Sequence, residues 1–249
     1  MGNVKMVVVL VVVAGWLGNA AAAIVFARDG NVFYQNGGKP VQMTDSGRDR
    51  APVLHPKGEW VYFFRLGKPP AGDAITVPSE KPVLQEELWR IRTDGTRPAM
   101  LYRAKEDTSI GGDGPYAVAR LDNLQFSPDG DKVYFHTFDW FMSWAIHVMK
   151  PDGTFEKMIG DGNDTRIILS TGGEGVDEYR GYIVTSRHRY FVFGGTYDWY
   201  YLCTPDMQKE IGPVGRDIME VTRSCGLKYT DGSEKRLAIE QDSRSETDR

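Results

Sequence analysis

LQFSPDGDKVYFHTF, Leu124 to Phe138, is the stretch whose reading decides the fold. The apolar run Leu124-Gln125-Phe126 ends in Ser127-Pro128-Asp129-Gly130, and a second apolar run, KVYFHTF, begins just beyond it. Proline presets φ and glycine accepts a positive φ, so S-P-D-G is a tight turn between two extended segments. Val, Tyr, Phe and Thr favour a pleated, half-buried surface. A third run, WAIHVM (Trp144 to Met149), leads to a second turn, Lys150-Pro151-Asp152-Gly153.

Working outward, the unit recurs. Upstream, Val53-Leu54-His55-Pro56-Lys57-Gly58 is followed by EWVYFFR, ELWRIR and Thr93-Asp94-Gly95. Downstream, YIVTSRHR leads to YFVFGG, WYYLC and Thr204-Pro205-Asp206-Met207. An incomplete copy, IVFARDG, NVFYQN and PVQMTD, opens the region at Ile24 and begins at its second strand. No window sustains a helical period, and strand runs bounded by Pro/Gly/Asp turns at blade length predict antiparallel hairpins in series.

FSPDGDKVYF…AIHVMKPDG resembles the repeat of TolB-like β-propellers, relatives of the WD-repeat propellers, over about Ile24 to Val214. The resemblance implies an all-β fold, a β-propeller of about four four-stranded blades. It departs from full-length TolB proteins, which resemble a six-bladed propeller behind a separate N-terminal domain; this chain has room for neither. The strand missing from the first copy is expected from Asp217 to Ser224, DIMEVTRS, which would pair both chain ends in one blade. An open fragment and a ring completed by a second subunit are the alternatives.

The chain ends carry separate signals. Residues 1–23 combine Lys5, an apolar run from Met6 to Leu17 and the small residues Ala21-x-Ala23, the pattern of a cleaved secretory signal. An uncleaved anchor is the alternative and the only membrane attachment expected. Removal leaves 249 − 23 = 226 residues, enough for one core-bearing domain. The propeller is placed at 24–224, and the charged 225–249 is read as a mobile tail. A bacterial periplasmic or secreted location follows from the signal. Cys203 and Cys225 either pair or stay free; two cysteines form no disulfide framework.

Net charge is −4 with Lys and Arg scattered, which argues against a nucleic-acid partner. The chain has no G-x-S-x-G, S-x-x-K, H-E-x-x-H or C-x-x-C and no glycine-rich phosphate loop, and no cofactor is implied. Asp161-Gly162-Asn163-Asp164 opens like a calcium loop, but Gly172 stands where the bidentate Glu belongs. His136 and His147 flank one hairpin and are the weak metal candidates, wanting a third ligand. Glu86-Glu87 is expected to be solvated, its members on opposite faces of a strand.

In an antiparallel blade the S-P-D-G and D-G turns share one end of the sheet. The second-to-third hairpins and the crossovers share the other. Gly58 to Gly95 spans 37 positions and Gly130 to Gly153 spans 23, so the 14 extra residues fall in a hairpin at this second, elaborated end. TFDWF (Thr137 to Phe141) and TYDWY (Thr196 to Tyr200) fall in the same hairpin class, 196 − 137 = 59 positions apart, the offset that also relates Gly130 to Arg189 in the repeat alignment. Loops on a rigid scaffold are where binding concentrates. Trp140, Phe141, Trp144, Trp199 and Tyr200, with Asp139 and Asp198, are therefore the candidate ligand-binding residues for a protein or peptide partner in the cell envelope. The competing reading is that these aromatics only pack blade on blade. A propeller enzyme acting on carbohydrate is a second alternative, since some lyases resemble this repeat and carry a central cluster of His and carboxylates with a metal.

Overall fold

The computed structural model describes residues 23–68, 83–105, 109–110, 117–139, 143–170, 178–190, 192–225 and 228–229. The first blade is β1 (Ile24–Arg28), β2 (Asn31–Gln35) and β3 (Val41–Gln42), in that order. The second is β4 (Asp49–Leu54), β5 (Trp60–Leu66), β6 (Val83–Arg92) and β7 (Ala99–Arg103), with β8 (Ser109–Ile110) and β9 (Ala117–Ala119) beside β6. The third is β10 (Leu121–Phe126), β11 (Val133–Asp139), β12 (Ser143–Met149) and β13 (Lys157–Asp161). The fourth is β14 (Thr165–Ser170), β15 (Ile183–Tyr190), β16 (Thr196–Cys203) and β17 (Glu210–Gly215). Helix α1 (Ile218–Cys225) follows, and β18 (Lys228–Tyr229) pairs with β14. The architecture is an all-β propeller of four blades, the first with three strands among the described residues, as its truncated repeat anticipates.

The turns form as their residues dictate. Gly58 and Gly130, at φ 75° and 76°, donate their N–H groups to His55 O and Ser127 O at 2.8 Å. In S-P-D-G the Ser127 hydroxyl donates to Asp129, whose carboxylate also accepts the Asp131 N–H. The Ser127 hydroxyl and these amides hold Asp129 below the usual carboxylate range. The second turns repeat a shorter device: Asp94, Asp152 and Asp206 each accept the N–H two residues on. At the last, Met207 sits at φ 55° where the other copies have glycine.

Near-continuous apolar strands are what a blade buried on both faces requires. In β5, Val61 and Phe63 enter the core shared with the first blade, whereas Tyr62 and Phe64 enter the core shared with the third. In β11, Val133 and Phe135 face back and Tyr134 faces forward to Ile167, Ile183 and Cys203. Each of these fully buried aromatics contributes about 2 kcal/mol of burial, so the second and third blades are each held by a neighbour on both faces.

Three expectations are corrected. Asp217 to Ser224 is no closing strand: α1 lies over the outer face of the last blade, with Val221 fully buried among Ile168, Val184, Tyr200 and Leu202. Asp217 accepts the Glu220 N–H and Glu220 accepts the Arg216 N–H, so D-x-x-E caps a helix. An eight-residue helix gains little from propensity alone and is held by that apolar face.

Second, the fourth blade opens with TRIILS of β14, and YIVTSRHR belongs to its second strand. Its first turn lacks S-P-D-G and uses Gly181 at φ 82° with its N–H on Ile168 O. Third, the 59-residue offset is not the blade register. Val133 pairs with Phe126 and Met149, and Ile183 pairs with Ile167 and Cys203, giving shifts of 41 (167 − 126), 50 (183 − 133) and 54 (203 − 149). Thr137, Phe138 and Asp139 of TFDWF end a second strand, while TYDWY opens a third. Among the described residues no helix is long and apolar enough to cross a membrane; residues 1–22 and 230–249, with the expected signal and most of the tail, lie outside them.

Candidate functional site

The elaborated end between the third and fourth blades holds a cavity of about 210 Å³, lined by Asp122, Asn123, His136, Trp144, Asn163, Asp164 and Arg166. A bulge in β10, with Asn123 at φ 51° and a register shift between Asp122 and Gln125, turns the Asn123 amide toward the next blade. Asn123 Nδ2 donates to Thr165 O at 2.9 Å and lies 3.2 Å from His136 Nε2. Gln125 donates to Thr165 O at 2.7 Å and accepts the Ile167 N–H at 2.9 Å, so one side chain substitutes for a ladder between blades.

His136 is buried and neutral. Desolvation, with Arg166 adding repulsion, pushes its pKa down to about 3. Its Nε2 accepts from the Asn123 amide, which places it as a positioning acceptor rather than a proton carrier at neutral pH. Asp164 anchors the opposite wall: it takes Arg166 Nη1 at 2.5 Å and the Tyr200 hydroxyl at 2.7 Å. The result is a polar cleft of carboxylates, amides and one guanidinium with an indole at its edge, suited to hydrogen-bonding an extended polar segment.

The candidate residues separate by strand parity. Trp144 lies on the face of β12 that carries Ile146, with its ring 6.1 Å from His136 and edge-on to Phe138 at 5.6 Å. Trp199 shares its face of β16 with Tyr201 and Cys203, the face turned to the third blade. Arg216 sits 5.6 Å over its ring. Trp144 lines the cleft, whereas Trp199, on the face of the fourth blade turned to the third, is not among its lining residues. Asp198 and Tyr200 belong to the opposite face of the fourth blade. Asp198 pairs with His188 Nδ1 across the hairpin, and Tyr200 is buried, its hydroxyl pushed up by desolvation and by Asp164. Tyr200 is a structural residue and no part of an exposed platform. Trp140, Phe141 and the side chain of Asp139 lie outside the described residues.

His136 and His147 do not meet around a metal. His136 pairs with Ile146 and His147 with Phe135, so the imidazoles stand on opposite faces of the sheet. His147 is held by Thr137 Oγ1 at 2.9 Å and Glu156 Oε1 at 2.5 Å. Among the described residues no three His, Cys, Asp or Glu side chains come together as a metal site. Glu86 and Glu87 do face opposite ways, but both are buried. Glu86 takes Arg50 in two hydrogen bonds of 2.7 and 2.6 Å and accepts the Leu121 N–H, tying the second blade to the third. Cys203 is a buried free thiol, pushed up by desolvation.

One feature of this end was not singled out in the sequence. Tyr190, Val192 and Phe193 at the tip of the β15–β16 hairpin are 74%, 94% and 101% exposed. The signal was present as YFVF followed by two glycines, which turn a strand-like run into a hairpin end.

No protein-family model matches the chain, and no curated protein matches it. Among solved structures, an S511A mutant of puromycin hydrolase complexed with PGG superposes with a TM-score of 0.51 at 15% identity, covering 84% of this chain and 32% of that one. Oligogalacturonate lyase in complex with manganese gives 0.48 at 10% identity over 77% and 50%, and TolB from Acinetobacter baumannii gives 0.45 at 13% over 78% and 40%. The chain thus spans about a third to a half of the length of the structures it matches. At these identities the likeness is one of fold alone, and the fold is a β-propeller.

Proposed function

We propose that this chain is an exported, TolB-like propeller that acts without catalysis as a binding module in the bacterial periplasm or outside the cell. It engages a protein or peptide through its elaborated end. The observation that carries this reading is the hairpin tip. Two apolar side chains, Val192 and Phe193, stand wholly in water at the tip of the β15–β16 hairpin, on the same elaborated end as the polar cleft. Leaving them exposed forgoes about 2 kcal/mol each, which a docked partner recovers. The cleft adds hydrogen-bonding groups and the Trp144 indole, the composition of an anchor pocket with a polar rim.

The test is a photo-crosslinking residue placed at position 193 in the exported protein, compared with one at the exposed Lys57 on the regular end. A discrete adduct formed only from position 193, and lost with Trp144→Ala, supports the reading. Equal capture from both positions, or none from 193, overturns it.

A further inference from the structure

We propose that the cleft at the elaborated end of the second blade is a separate binding site for a small organic anion, its carboxylate or phosphate held by Arg48 and Lys68. It does not rest on the reading above, because none of its residues lines the other cleft. The cavity is about 440 Å³, within the usual range for ligand sites, and opens at the same elaborated end. Its lining includes four cations, Arg48, Arg65, Lys68 and Arg103, and one carboxylate, Glu87.

Among the described residues the charges do not cancel. Arg65 is matched by the buried Asp49 through bonds of 2.6 and 3.0 Å. Arg103 is matched by Glu87 through bonds of 3.0 and 2.7 Å, and the other Glu87 oxygen accepts the Trp89 indole N–H at 2.7 Å. Among the described residues the Arg48 guanidinium donates only to the carbonyl oxygen of Leu66, at 2.9 Å, and neither Arg48 nor Lys68 has a carboxylate partner. Two uncompensated cations in a partly enclosed cavity hold a local field that favours an anion. The half-buried guanidinium keeps most of its donors free for a bidentate oxyanion.

The walls are rigid. Leu66 N–H donates back to Arg48 O at 3.0 Å, and Gly67 N–H donates to Gln85 O at 2.9 Å. A Cβ at Gly67 would stand 2.7 Å from that carbonyl, so the chain passes there only as glycine. Arg65 lies 4.7 Å over the Trp89 ring and fixes the indole beside Val83 as an apolar wall for the body of the ligand. A bare ion fills the charge but not this wall, so a carboxylate or phosphate ester on a compact apolar body fits better than inorganic phosphate.

Calorimetric titration of the whole protein at low salt with benzoate, phenyl phosphate and inorganic phosphate tests this. Binding of benzoate or phenyl phosphate is expected at millimolar affinity or better, with inorganic phosphate about tenfold weaker, and the preferred organic probe tells carboxylate from phosphate. Arg48→Gln and the exposed Lys68→Gln are each expected to weaken it about tenfold, while Lys57→Gln at the regular end leaves it unchanged. The Trp89 indole N–H resonance should shift on binding. If neither organic anion saturates, or Lys68→Gln with an unaltered melt binds both as the wild type does, the proposal fails.

Discussion

His55 Nε2 donates to the carbonyl oxygen of Gly130 at 2.9 Å, tying the first turn of the second blade to that of the third. The other ring nitrogen accepts the Lys57 N–H at 3.2 Å, which sets the tautomer and requires a neutral ring. The contact is close enough that a Cβ on Gly130 would meet His55 Cε1 at 2.8 Å.

Gly130→Ala therefore carries two costs, a positive φ and a collision with a buried ring, and is expected to lower stability by about 2–4 kcal/mol. Gly58→Ala, at nearly the same φ with nothing within 4 Å of the added Cβ, is expected to cost only about 1 kcal/mol. Urea unfolding of both variants checks the difference; equal losses would mean that the His55 contact contributes nothing.

Stability should fall as acid is added before any carboxylate is titrated. His55 and His136 are both held below the ordinary histidine value by burial, His136 at about 3. The unfolded chain then takes up protons from about pH 6.5 downward while the native state does not, so stability present above pH 6.5 is lost progressively toward pH 3. The loss is on the order of a few kcal/mol, and His136→Gln should flatten the slope between pH 6.5 and 4. A profile unchanged by that substitution counts against a neutral, buried His136.

The two residues of the Trp199-Tyr200 pair should behave differently. Tyr200→Phe removes the hydrogen bond to Asp164 and is expected to cost about 1–2 kcal/mol of stability. Trp199→Ala, at a half-buried ring under Arg216, should cost about 1 kcal/mol and mainly reduce partner capture. Melting curves set beside crosslinking yields separate the two roles.

Helix α1 is expected to act as the lid of the last blade. Val221→Asp places a charge against Ile168 and Leu202 and should cost about 3 kcal/mol or more, with increased binding of a hydrophobic dye. Asp217→Ala loses only the cap, about 1 kcal/mol. Comparable effects from the two would place α1 outside the fold's stability.

The blades were legible because their causes are local. S-P-D-G at 127–130 and D-G at 152–153 make turns whatever lies around them, and two-faced apolar runs such as WVYFF must be buried on both sides. The truncated first blade was readable for the same reason. The fourth blade was misaligned where its first turn lacked the S-P-D-G residues and used Gly181 instead. DIMEVTRS carried its capping residues in plain view, yet helix and strand differ there by which apolar face awaits it, and that face is built by Ile168, Val184 and Leu202 from distant strands.

The candidate site was legible only as an end of the propeller. Strand parity and hairpin class put Trp144 and Trp199 at the elaborated end, but which face each side chain takes depends on pairings such as His188 with Asp198 and Phe138 with Trp144. The sequence by itself determined the repeat, the turns and the burial of the strands, because these follow from backbone sterics and hydrophobic period. Only the tertiary structure decided the cleft partners, the burial of Glu86 and Glu87, and the unmatched charges of Arg48 and Lys68. Charge compensation and side-chain facing are set by residues brought together across blades, and a one-residue change of register reverses them.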